Sequence, residues 1–229
     1  MSRLPRIVVP GLAHHVTQRG NRRAVVFDDD FSRRSYLALF DDYRKKYGLE
    51  VWAYCLMSNH VHWVVVPRDE GALGRCFRDT HTAFAALVNQ RRRESGHLWQ
   101  GRFFSCPLDE AHIWAAVRYV ERNPVRAKMV ARAEDYPWSS AAGHCGRSDD
   151  LLSPDFPPRG VIQSWSEWLG GEEATQSETI RRRTRTGRPC GTPAFTAQLE
   201  NLLNRVLGPQ KAGRKKRANP KNEGRLFNE

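Results

Sequence analysis

The 229-residue chain carries 37 Lys and Arg against 25 Asp and Glu, a formal charge of +12, with 40% hydrophobic residues and five scattered cysteines. Its apolar runs fall far short of the roughly 18 residues a membrane span needs, and no cysteine pair has the spacing of a zinc ribbon or disulfide framework. The N-terminus shows no secretory signal, so a reduced, cytoplasmic protein is expected.

The charge is unevenly distributed. From residue 181 onward there are thirteen basic and three acidic residues, leaving 24 against 22 in the first 180. A near-neutral core with a cationic tail fits a polyanionic partner, most simply nucleic acid; a solubilising tail has the same composition.

Taken in chain order, LAHHVTQ (12–18) alternates loosely and predicts a first strand. RGNRR (19–23) reads as a turn, and the acids at 28–30 as caps for a helix over 31–47 that Gly48 closes. VWAYCLM (51–57) and HVHWVVV (60–66) predict two strands joined at Ser58–Asn59, the second stopped by Pro67. A helix over 71–93, a strand over 98–106 and a helix over 109–122 follow, the last halted near Asn123–Pro124. The order β-α-β-β-α-β, then a further helix, predicts an α+β fold: a ferredoxin-like (RRM-like), largely antiparallel sheet with helices packed on it. Residues 1–145 are expected to form this unit. Residues 146–229 are expected to form an extension with short helices (163–169 and one starting at Thr192–Pro193), a polar linker at 170–180 and a basic tail, disordered from Lys211.

On a strand, residues i and i+2 share a face, so His60 and His62 project together. Such a pair can chelate one divalent ion, or simply be two polar residues near a strand end. On the helix 109–122, Ile113, Ala116, Val117 and Val120 form the buried stripe. Tyr119 lies at its border and Asn123 one turn further along the same side. A tyrosine there either packs as an amphipathic core-edge aromatic or presents its hydroxyl to a site. For nucleic acid, the arginines beside aromatics (Arg102, Arg118, Arg122) and those of RRRTRTGRP (Arg185, Arg188) are candidate contacts; a Gly-Arg-Pro element can lie in a minor groove.

SNHVHWVVV, LWQGRFFSCPLDE, YVERNPVRAKMV and YPWSS, with the opening HHVTQRGNR and the later TGRPCGTPAF, resemble the single-tyrosine HUH transposases, REP-associated branch. The likeness runs through most of residues 8–142. It implies a strand transferase that cleaves and rejoins single-stranded DNA next to a hairpin through a 5′-phosphotyrosine intermediate. Tyr119 matches the nucleophile. His60, His62 and Asn123 match the ligands of a divalent metal, Mg or Mn, and a monomer is favoured over a dimer. His15 matches a histidine of the opening motif to which no role attaches. The competing reading is a non-catalytic, RRM-like nucleic-acid-binding module, although QGRFFSC fits that consensus poorly. A metal-dependent hydrolase would need more ligands than HVH offers.

Overall fold

Period-two alternation decides how the strands are used. In the computed structural model, which describes residues 5–148, 151–153, 156, 162–171 and 176–208, strand β3 (His60–Pro67) turns Val61, Trp63 and Val65 to one side and His62, Val64 and Val66 to the other. The first set joins a core with α1 (Asp30–Tyr47) and α2 (Ala72–Arg92), where Trp63 stacks on Phe40 with ring centroids 3.7 Å apart. The second set joins a separate core under α3 (Glu110–Glu121). One sheet thus divides two apolar cores, and each strand needs apolar residues on both faces.

The sheet order is β2-β3-β1-β4, with β1 (His14–Arg19), β2 (Leu49–Met57) and β4 (Phe104–Pro107). Every pairing is antiparallel. This is the ferredoxin-like arrangement expected from the β-α-β-β-α-β order. Register places Thr17 opposite His62 and Arg19 opposite His60, so His15, Thr17 and Arg19 share the α3 face with the two histidines.

Caps fix the ends of the helices. Asp29 and Ser32 form a reciprocal capping box at α1, and Gly48 ends it in the left-handed conformation at φ 67°. Asp109 caps α3 by accepting from the His112 amide. After Glu121 the chain breaks at Arg122, and Pro124 sits in the first turn of a short helix α4 (Asn123–Arg126), where its missing N–H is harmless.

Two expectations are corrected. The fourth strand is four residues long rather than spanning 98–106: Gly101, at φ 122°, takes a turn no strand adopts, and Trp99 makes only one bridge, to Gly20. The 170–180 linker and the start of the basic tail give way to a helix. After α5 (Ala141–His144) and α6 (Trp165–Gly170), α7 (Gln176–Thr186) packs on β4, α3 and β1. Helix α8 (Pro193–Leu203) begins at its expected cap, Thr192, and buries Leu199 against Ile7, Val9 and Leu207. The disorder expected from Lys211 lies outside the described residues.

Both rims of the sheet are occupied by the chain itself. Along β2, the Leu56 amide donates to the Trp138 carbonyl, and the Ser140 and Ser153 amides donate to the carbonyls of Tyr54 and Val51. The Ser140 and Ser153 hydroxyls accept from the amides of those same two residues. Beyond β4, Cys190 bridges Leu108 and donates its amide to Pro107. Among the described residues no helix is long and apolar enough to cross a membrane.

Candidate active site

His60, His62, Tyr119 and Asn123, drawn from β3, α3 and α4, line one cavity of about 880 Å³. The His60 and His62 ring centroids are 5.0 Å apart, and that of Tyr119 lies 5.4 Å from His62, edge to face. Tyr119 stands at the rim of α3's buried stripe, so its ring packs while its hydroxyl reaches polar partners. The ring is also edge-on to His15 at 5.6 Å. Arg181 Nε donates to Tyr119 Oη at 3.2 Å, and the Arg126 guanidinium lies 4.2 Å over the ring. The other tyrosines are engaged elsewhere: Tyr36 Oη is hydrogen-bonded with His81 Nε2, Tyr54 stacks near Trp63, Tyr136 donates to the Leu56 carbonyl, and Tyr43 and Tyr47 stack together on α1.

Burial keeps the imidazoles neutral. Desolvation, helped by Arg19 and Arg181, lowers His60 to about 4. His62 is held well below the free value by desolvation and by its histidine neighbours, and desolvation with Arg126 nearby brings His15 to about 3. Neutral imidazole is the ligating form. Asn123 donates Nδ2 to the carbonyls of Tyr119 and Val120, both at 3.3 Å, which leaves Oδ1 as its donor atom for a cation. Two imidazole nitrogens and one amide oxygen on a shared hollow fit a divalent ion. No cluster of three His, Cys, Asp or Glu forms a ready-made cage among the described residues.

Five arginines (Arg19, Arg23, Arg126, Arg181, Arg185) and no carboxylate line the hollow among the described residues. Of the arginines singled out in the sequence, Arg185 is there. Arg102 lines an adjoining groove, with Arg185 at the junction of the two. Arg118 instead stacks on Trp168 at 4.2 Å, and Arg122 donates to the carbonyls of Leu169 and Gly171, so both are turned toward α6 and away from the hollow. Arg188 is half-buried in the turn after α7. Arg126 and Arg181 were missed by sequence reasoning. The first follows a proline that reads as a stop. The second lies in a helix whose buried side is Ser177, Ile180 and Thr184, with a single apolar residue among them.

A family model described as transposase, IS200-like, matches residues 8–123. Among solved structures, the chain is similar to a REP-associated tyrosine transposase bound to a REP hairpin, at 19% identity and a TM-score of 0.56, covering 67% of this chain and 94% of that one. At that identity the likeness speaks for the fold. A crystallised candidate transposase from Deinococcus radiodurans is 22% identical, covering 51% of this chain and 93% of that one, with a TM-score of 0.34, too loose to bear on the fold. No curated protein sequence matches.

Proposed function

This chain belongs to the IS200-like transposases, single-tyrosine DNA transposases whose chemistry is metal-dependent, and from that membership we propose its substrate and the residues that act. The protein cleaves and rejoins single-stranded DNA beside a hairpin, as a monomer in the cytoplasm, with Tyr119 as nucleophile and His60, His62 and Asn123 as ligands of Mg or Mn. Residues 1–145 carry the chemistry, and the extension from 146 supplies α7 and a basic surface. The hairpin follows from the similar transposase that was solved with one.

One juxtaposition carries the reading: a phenol stands beside two neutral imidazoles in a hollow lined by arginines. Tyr119 Oη attacks the scissile phosphorus in line. The new bond joins Oη to phosphorus, the bond from phosphorus to the 3′ oxygen breaks, the phenol loses its proton and the 3′ oxygen gains one. The phosphodiester energy is kept in the tyrosine link, so a second 3′-OH can reverse or exchange the joint. His60, His62 and Asn123 would hold a divalent ion, which would supply Lewis acidity at the phosphate and offset charge there. Arg181, already on Oη, orients the phenol and stabilises negative charge as it develops there. Arg19, Arg23 and Arg185 hold backbone phosphates, with Phe104 as a stacking surface.

Tyr119→Phe keeps the ring and removes the nucleophile. Incubated with a hairpin-flanked oligonucleotide and Mg or Mn, it is expected to yield no covalent protein–DNA species while still binding the DNA. Undiminished adduct would sink the assignment. An RRM-like binder would need an open sheet face for base stacking; here α3 and α7 cover the face that carries the histidines.

A further inference from the structure

A cation at this site needs each imidazole to turn a bare nitrogen to the hollow, and the surrounding hydrogen bonds decide which nitrogen carries the proton. The ordering starts at the Ile180 carbonyl, which can only accept. Thr184 Oγ1 donates to it at 2.8 Å. A hydroxyl has one proton, so toward His15 the threonine can only accept, and His15 Nδ1, 2.6 Å away, donates. His15 Nε2 is therefore an acceptor. His62 Nδ1 lies 3.0 Å from it and donates in turn. The two ring planes agree within 7° with centroids 5.2 Å apart, the side-by-side placement of an in-plane N–H···N bond. His62 is left with Nε2 bare. The Cys106 thiol, 3.2 Å from Thr184 Oγ1, is a second donor to the same oxygen.

His60 is ordered independently. Asn59 Nδ2 donates to the Arg23 carbonyl at 3.0 Å, so Asn59 Oδ1 faces His60 and accepts from Nδ1 at 2.7 Å. His60 Nε2 is bare as well.

We infer that Thr184 and His15 are positioning residues: a proton-ordering relay running from α7 through β1 to His62, which holds the His62 Nε2 lone pair open to the hollow. The inference rests on the proposed roles of His60 and His62 as ligands. It gives His15 a task, and it makes α7, which lies beyond the matched span 8–123, part of the site. Without Oγ1 at position 184, the His15 Nδ1–H would face a methyl group. The buried pair then regains a satisfied pattern by reversing: His15 donates from Nε2, and His62 moves its proton to its own Nε2, closing the lone pair.

The test uses the full chain with 15N-labelled histidine, free of metal, and reads each tautomer from two-bond 1H–15N correlations. His15, His60 and His62 are expected to carry their protons on Nδ1. Thr184→Val is expected to shift His62 toward the Nε2–H form and to weaken Mn²⁺ binding, measured by calorimetry, about 10- to 100-fold. Thr184→Ser, which keeps the hydroxyl, should retain both. Thr186→Val removes a comparable bond to the Arg182 carbonyl on the exposed side of α7 and should change neither. A wild-type His62 protonated on Nε2, or a Thr184→Val protein with wild-type tautomer and affinity, overturns the relay. If Thr184→Val does not fold, the wild-type tautomers alone decide. Wild-type protein with the expected tautomers and no Mn²⁺ binding overturns the cation reading and the relay's purpose with it. A reversed tautomer alongside normal Mn²⁺ binding overturns only the relay.

Discussion

Arg181 is the residue on which the proposed chemistry and the proposed DNA contacts meet. It is exposed on α7, yet its Nε reaches Tyr119 Oη, the proposed nucleophile. Arg181→Ala removes that donor without touching a core, so the fold should persist while covalent adduct formation slows by about 10²-fold, the scale of losing one donor at a developing charge. Single-turnover cleavage at saturating DNA separates this from weakened binding. At this scale the sequence was partly legible. The i, i+2 spacing put His60 and His62 on one face, and helical spacing put Tyr119 and Asn123 on one side. The bond from His15 to Thr184 joins positions 169 apart in the chain, and no local pattern encodes such a contact.

Among the elements, α3 works on two faces. Tyr119 faces the hollow, while two residues on, Glu121 is fully buried and accepts from Ser140 Oγ at 2.5 Å, His144 Nδ1 at 2.6 Å and Trp165 Nε1 at 2.9 Å. One carboxylate thus ties α5 and α6 to the helix that carries Tyr119. Glu121→Ala leaves two buried N–H donors, His144 Nδ1 and Trp165 Nε1, without an acceptor, while Ser140 Oγ keeps the Tyr54 carbonyl at 3.3 Å; it is expected to destabilise by about 3 kcal/mol, or roughly 6–12 °C in Tm for a chain of this size, read by calorimetry. Helix α7 is the element the sequence concealed. Its arginines dominate the composition, and its docking rests on Ile180 and Thr184, both almost fully buried. Ile180→Ala should loosen it by at least about 2 kcal/mol. Tryptic cleavage within the Arg181–Arg185 run should then quicken about thirty-fold, because cutting follows the opened population. The strands and α1 were legible for the opposite reason: alternation and caps are local signals. The shortened β4 was not, since a single glycine's backbone angle ended it.

For the molecule as a whole, acid and salt are the informative variables. Burial holds His14 at about 4 and His81 at about 3, against 6.5 when free. Below pH 6.5 the unfolded chain binds protons that the folded chain refuses, so this stability is complete above about pH 6.5 and drains away as pH falls toward 4. Each histidine should account for about 2 kcal/mol lost between pH 7 and 5, seen as a lower urea midpoint with an unchanged slope. With five arginines facing the hollow, DNA affinity should fall with a log–log salt slope of about −3 to −4 if each meets a phosphate of a single strand. A slope near zero would mean the hollow does not carry the backbone.

The occupied rims of the sheet bear on what this protein can recognise. Serines 140 and 153 answer main-chain groups on one side, and the Cys190 segment closes the other. An extended peptide, or a strand lent by another copy, therefore finds no unmet amides to zip onto at these positions. Self-templating growth into fibrils is blocked there by the same device.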